Sequence, residues 1–124
     1  MLENLKKLEK HINSELSSKI HNSEINNDEL LIEVGENDLT EVVQFIKSNE
    51  KLKFRQLIDI AGVDYPEEEK RFNLIYLFLS HENNSRLKLL VKFETSQTIN
   101  SITKIFPSAN WMEREVFDMY GIKF

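Results

Sequence analysis

The sequence predicts an α+β domain with a mostly antiparallel sheet and helices packed on one face. Three observations carry that expectation. The stretches "RFNLIYLFLS" and "RLKLLVKFE" both read as strands, and "HENN" between them is the strongest hairpin signal in the chain. Apolar residues recur at helical spacing near both ends, from Leu2 to Leu16 and again from Trp111 to Tyr120. No repeat, low-complexity block or interdomain linker interrupts the 124 residues, so residues 1–124 are expected to form a single domain.

Each element has its own local cause. Leu2, Leu5, Leu8, Ile12 and Leu16 stand three or four apart with Lys6, Lys7 and Lys10 between them, which is the pattern of an amphipathic helix. "KIHNSEIN" and "ELLIEVG" bracket the turn-rich "NND", and Leu30, Ile32 and Val34 alternate, so a hairpin is expected there. Asp38 followed by Glu41 forms a capping-box pattern ahead of Leu39, Val42, Val43 and Ile46, predicting a second helix to about Ser48. "FRQLIDIAGVDYP" becomes strand-like over Leu57 to Val63, and Pro66 pushes Tyr65 toward extended geometry. "EEEK" reads as a solvated turn. In the last strand Leu87, Leu89 and Val91 share one face. "TINSITKIF" is expected to be a short helix ending before Pro107.

Composition removes several function classes. A net charge of −5 with cations scattered among acids argues against a surface that tracks nucleic-acid phosphates. The absence of cysteine excludes disulfides, thiolate zinc sites, Cys nucleophiles and Cys-held iron–sulfur clusters within this chain. The longest apolar run, Leu74 to Leu79, falls far short of the roughly 20 residues a membrane helix needs. The N-terminus lacks an apolar signal core and reads as a mature start. His11, His21 and His81 lie in separate elements without metal-ligand spacing, and no G-x-G-x-x-G turn offers a dinucleotide site.

The closing stretch "WMEREVFDMYGIKF" concentrates charge and aromatic rings. Asn110 is the expected N-cap, with Glu113 reaching back to it, and Gly121 the expected left-handed stop, with Ile122 packing back on Phe117. Met112, Val116, Met119 and Tyr120 are expected to form the apolar face, and Arg114 can pair with Asp118 one turn on. Three uses are open. Glu113, Glu115 and Asp118 could supply an acid and a base, the helix could be amphipathic and nothing more, or its aromatic and arginine content could serve a protein contact. Spacing does not separate the last two.

"EREVFDMYGIKF" resembles the signature of the C subunit family of NADH–quinone oxidoreductase (respiratory complex I), E-R-E-x-x-D-[LM]-[FYM]-G-I-x-F. Glu113, Arg114, Glu115, Asp118, Met119, Tyr120, Gly121, Ile122 and Phe124 fit that pattern. "FRQLIDIAGVDYP", "RFNLIYLFLS" and "FPSANWMERE" resemble the family's preceding segments in the same order, so the likeness runs from about Phe54 to Phe124, and the first half agrees in layout. In the family the signature continues into a G-H-P-x-x-R-R stretch and a long tail, whereas this sequence ends at Phe124; contacts of that tail are not carried over.

The resemblance implies a scaffold in the hydrophilic arm of the complex. Such a protein packs on the D subunit beside the iron–sulfur chain and close to quinone reduction, and holds no redox cofactor itself. NADH, FMN, iron–sulfur clusters and quinone would belong to the assembled, proton-pumping enzyme, and this chain would carry no active site. On the same basis Arg114, with Asp118 or Glu115, would fix the helix surface. Trp111, Phe117 and Tyr120 would fill gaps in the core or against the partner, and Gly121 would allow the sharp exit. Asp64 and Tyr65 are expected at a strand-end turn, with Asp64 bonding local amides, in preference to a partner contact. The implied location is peripheral, on the cytoplasmic face of a bacterial inner membrane or the matrix face of a mitochondrial one; twelve lysines against four arginines suggest an AT-rich genome, which fits both. The alternatives are an equivalent scaffold in a membrane-bound hydrogenase-type complex, or a small hydrolase using Glu113 and Asp118.

Overall fold

A computed structural model of the chain describes residues 2–26, 28–94 and 98–124. Asn27 of the expected hairpin turn and the Leu2 side chain lie outside the described set. In chain order the elements are α1 (Leu2–Glu15), β1 (Ile20–Asn26), β2 (Glu29–Val34), α2 (Leu39–Ser48), β3 (Gln56–Asp64), β4 (Phe72–Ser80), β5 (Ser85–Phe93) and α3 (Ala109–Tyr120).

The five strands form one sheet in the order β1-β2-β5-β4-β3. β1–β2, β3–β4 and β4–β5 pair antiparallel, while β2 and β5 run parallel, with Leu30 opposite Leu87 and Ile32 opposite Leu89. The β4–β5 hairpin turns through His81–Asn84, where Asn84 takes a positive φ of 48° and its N–H reaches the His81 carbonyl. Asn tolerates this left-handed geometry better than most residues. The neighbouring Asn83 side chain donates to the Lys51 and Leu52 carbonyls at 2.9 and 2.7 Å, tying the hairpin to the chain after α2.

The period-2 alternation of the strands decides where the core sits. Phe72, Leu74, Tyr76 and Phe78 on β4 point to the same face as Leu87, Leu89, Val91 and Phe93 on β5, and all are buried. Leu5, Leu8 and Ile12 of α1, Leu39, Val42, Val43 and Ile46 of α2, and Val116 of α3 join them in one cluster. On the opposite face Lys88 pairs with Glu29 at 3.6 Å and Lys92 with Glu33 at 3.8 Å across the parallel pair. The helices thus cover one side of the sheet, as the apolar stripes predict.

Two local expectations are corrected. Asp38 precedes α2 but makes no side-chain cap; its own N–H bonds the Gly35 carbonyl, so the capping box does not form. Residues 98–106 are not a helix. They run irregularly to a single turn in which the Ile105 and Phe106 N–H groups both reach the Ile102 carbonyl. Ile99, Ile102, Ile105 and Phe106 are all buried, and the Ile99 N–H is held by the Lys123 carbonyl at 2.9 Å. Long-range partners have claimed the backbone groups a helix would need.

Candidate docking surface

α3 packs against β3, and its sequence divides into two unequal faces. Ala109, Glu113 and Val116 are buried, with Met112 and Tyr120 packed partly against the core. Trp111, Phe117 and Met119 are 66%, 47% and 73% exposed, and Arg114, Glu115 and Asp118 share their outward side. Met119, expected on the apolar face, therefore points outward. The buried face is centred on Ala109, Glu113 and Val116, and position 119 stands about 120° around the helix from 113, at the margin of that face.

Glu113 lies where a capping residue is expected, yet it does not cap. The helix begins two residues earlier, after Ser108, which makes no side-chain cap bond, and Asn110 is inside it. Glu113 is 5% exposed and faces inward. Its Oε1 accepts from the Ser101 hydroxyl at 2.7 Å and its Oε2 from the Ile102 N–H at 2.9 Å, so both oxygens are occupied. A carboxylate buried in this way must be bonded to be tolerated. It latches the irregular 98–106 segment to α3. The Tyr76 phenol lies in the same interior without a hydrogen-bond partner among the described residues. Burial first, and then the Glu113 charge, push it above the ordinary tyrosine value.

The C-terminal stop forms as expected. Gly121 has φ 72° and ψ 15°, and its N–H bonds the Phe117 carbonyl at 2.7 Å. Ile122 is buried in the main core, whereas Phe117 is 47% exposed and outside that core. A second glycine matters here. A Cβ on Gly62 of β3 would stand 2.8 Å from Tyr120 Cε2, and its absence lets the Tyr120 ring lie on the strand, edge-on to Phe72.

Asp64 ends β3 and bonds a side chain where amides are expected. Arg71 Nε and Nη2 donate to Oδ1 and Oδ2 at 2.6 and 2.8 Å, a bidentate pair across the 65–70 loop. That hydrogen bonding, opposed by partial burial and helped by the guanidinium charge, holds the Asp64 carboxyl below its ordinary range. The Tyr65 N–H bonds the Arg71 carbonyl, closing the loop at the backbone, and the Tyr65 ring is 43% exposed. "EEEK" is exposed throughout, as read from the sequence.

Glu113 and Asp118 are not brought together as an acid–base pair. Glu113 is buried with both oxygens engaged, while Asp118, five positions on and about 140° around the helix, is exposed. The helical pair of Arg114 with Asp118 or Glu115 does not form either; among the described residues Arg114 has no ion-pair partner. The histidines are dispersed: His11 stacks on Phe45, His21 lies 3.8 Å from Glu33, and His81 bonds Gln56. No helix among the described residues is long and apolar enough to cross a membrane.

Comparison with known proteins settles the family to which the signature residues point. The family described as "Respiratory-chain NADH dehydrogenase, 30 Kd subunit" matches residues 32–124. The chain belongs to this family. Among relatives of this respiratory-chain subunit family, the NADH-quinone oxidoreductase C subunit of Ruegeria pomeroyi is 40% identical over 124 residues, covering 100% of this chain and 62% of that protein. The corresponding C subunit of Dinoroseobacter shibae is 42% identical over 120 residues, covering 97% of this chain and 56% of its own. The chain therefore spans about three fifths of the length of the curated relatives it matches. The likeness also reaches the first half of the chain, beyond the segment from Phe54 where the motifs lie. A chain from the structure of the membrane-bound sulfane sulfur reductase, an archaeal respiratory membrane complex, superposes with a TM-score of 0.83 at 19% identity. That superposition covers 96% of this chain and 69% of the other. At that identity the likeness concerns the fold alone.

For this member of the 30 Kd subunit family, the structure brings Trp111, Arg114, Glu115, Phe117 and Asp118 together on one exposed face, and it places Asp64, Tyr65, Glu113, Tyr120 and Gly121 elsewhere. Sequence reasoning missed Gly62, Ser101 and Arg71. Arg71 had a legible signal, since it follows the turn that Asp64 precedes; the other two had none.

Proposed function

We propose that the chain is a structural component of the hydrophilic arm of a proton-pumping NADH–quinone oxidoreductase. It docks on the D subunit through the outer face of α3 and supports electron transfer from NADH to quinone without a reaction centre of its own. NADH, FMN, iron–sulfur clusters and quinone are held by other subunits, and the chain sits peripherally on the cytoplasmic face of the membrane, or on the matrix face if it is organellar. The observation that carries this is the outer face of α3. Trp111 and Phe117 stand exposed on either side of an arginine without an ion-pair partner among the described residues, on a helix whose inner face is already buried. Aromatic residues and arginine are enriched in protein contacts, and a monomer gains nothing from exposing them. The names of the relatives favour the quinone enzyme over a hydrogenase-type complex.

Co-expression with the D subunit from the same source, followed by capture through a tag on that partner, is expected to retain the chain. Joint replacement Trp111→Ala and Phe117→Ala is expected to release it while its melting temperature stays unchanged. Equal capture of both forms would overturn the assignment of this face.

A further inference from the structure

α3 rests on β3, an edge strand of the sheet. Its inner side is one stripe, Ala109, Glu113, Val116 and Tyr120, whose positions lie within about 60° of one another around the helix. Apolar side chains continue on both flanks of that stripe, Met112 and Met119 on one and Phe117 on the other. Burial of apolar area is non-directional, so turning the helix to either side would exchange one of these side chains for another with little net change. Glu113 breaks that indifference. It is 5% exposed in the middle of the stripe, and its two oxygens have separate, directional partners in the Ser101 hydroxyl and the Ile102 N–H. A turn of one residue, about 100°, would lose both bonds and leave the buried Ile102 N–H without its acceptor. A carboxylate in an apolar stripe is a poor source of stability, because its removal from water offsets much of what its bonds return. What it supplies is a single rotation of α3.

We propose that Glu113 is the positioning residue of the docking helix: by pinning α3 to residues 101–102 at one rotation, it holds Trp111, Arg114 and Phe117 in the arrangement that meets the partner subunit. Trp111 stands about 160° around the helix from Glu113, so the pin and the outermost ring lie on opposite sides. Glu113 touches no partner itself and acts through the rotation of the helix. A buried polar group that selects one register among several of similar apolar burial is the best-attested use of such a group. This inference rests on the docking reading above, and its test separates the two.

Trp111 is the only tryptophan of the chain, so its fluorescence reports the rotation of α3 without a partner. The full chain is compared with Glu113→Ala, Glu113→Gln and Val116→Ala, the last shortening a core side chain of the same helix while leaving the pin intact. Acrylamide quenching of Trp111 is expected to shift in Glu113→Ala and to stay unchanged in Val116→Ala. It is expected to stay unchanged also in Glu113→Gln, whose amide oxygen can accept from the Ile102 N–H while its NH₂ donates to the Ser101 oxygen. Binding to the purified D subunit is expected to weaken about tenfold in Glu113→Ala and to stay within about threefold in the other two. Adding Trp111→Ala to Glu113→Ala is expected to weaken binding less than Trp111→Ala does alone. If Glu113→Ala does not fold, Ser101→Ala, which removes one of the two bonds, is expected to show both effects in smaller measure, and neither effect there would overturn the proposal. Equal weakening in Glu113→Ala and Val116→Ala would reduce Glu113 to a part of the fold and overturn it as well. If the unaltered chain binds, and quenching and affinity are both unchanged in Glu113→Ala, docking stands and the pin alone is refuted. If the unaltered chain does not bind this partner, the docking reading falls and the positioning role falls with it.

Discussion

At the scale of single residues, Gly121 and Glu113 show two ways in which one position controls the closing helix. Gly121 sits at φ 72° with open space where a Cβ would go, so any substitution pays in backbone conformation alone. Gly121→Ala is expected to cost about 1 kcal/mol, the penalty of left-handed geometry for an L-residue, measured as a shift of the urea midpoint at constant slope. An unchanged midpoint would refute it. Glu113→Ala removes the acceptor of a buried N–H and is expected to cost about 2 kcal/mol. Hydrogen exchange at the Ile102 amide reports this directly, and continued protection in the variant would mean the latch is unimportant. Asp64 makes a prediction about pH. Its carboxyl is held below the ordinary value by Arg71, so the pair's contribution is complete above about pH 4, where the unfolded carboxyl is also ionised. It is lost as pH falls through the lower folded value. Asp64→Asn should therefore be less stable than the unaltered chain at neutral pH, with the difference closing in acid; a constant difference would exclude the linkage. Gly121 was legible in the sequence because a helix stop is a local event. The inward turn of Glu113 was not, because its partners, Ser101 and the Ile102 N–H, come from a different segment.

At the scale of elements, the division of α3 into an inner and an outer face predicts opposite responses to truncation. Val116→Ala, in the core, is expected to cost about 2 kcal/mol through lost burial and a residual cavity. Trp111→Ala, on a side chain mostly in solvent, is expected to stay within about 0.5 kcal/mol despite removing a larger ring. Thermal melting of the two variants decides the point, and a larger loss for Trp111 would place it in the core. Helices α1 and α2 and strands β2 and β5 were legible from periodicity, since an apolar stripe predicts which face will be buried whatever covers it, and β1 and β4 from the turns that border them. Residues 98–106 differ from their expected helix for an instructive reason. Ile99, Ile102, Ile105 and Phe106 have helical spacing, and all are buried, but their backbone donors and acceptors bond Lys123, Glu113 and one another. Burial satisfied the pattern without a helix.

At the scale of the molecule, β5 stands at the sheet's centre between β2 and β4, while β1 is an edge strand with mostly exposed residues. Native-state hydrogen exchange should therefore be slowest in β4 and β5 and fastest among the strands in β1. Comparable protection in β1 would point to a covering not present in the isolated chain. By itself, the sequence determined the helices and strands apart from the helix expected over 98–106, the absence of thiol chemistry, and the family, because those depend on residue type and on spacings of a few positions. The ordered signature from Trp111 onward needed no coordinates to be seen. Only the tertiary structure decided that β2 lies parallel to β5, that Arg71 grips Asp64, that Gly62 yields space to Tyr120, and that Glu113 faces in while Met119 faces out. Each of these is a choice of partner between segments far apart in the chain. Local periodicity fixes which side of an element is apolar, but the identity of the group that meets it comes from satisfying buried polar atoms and filling the core together.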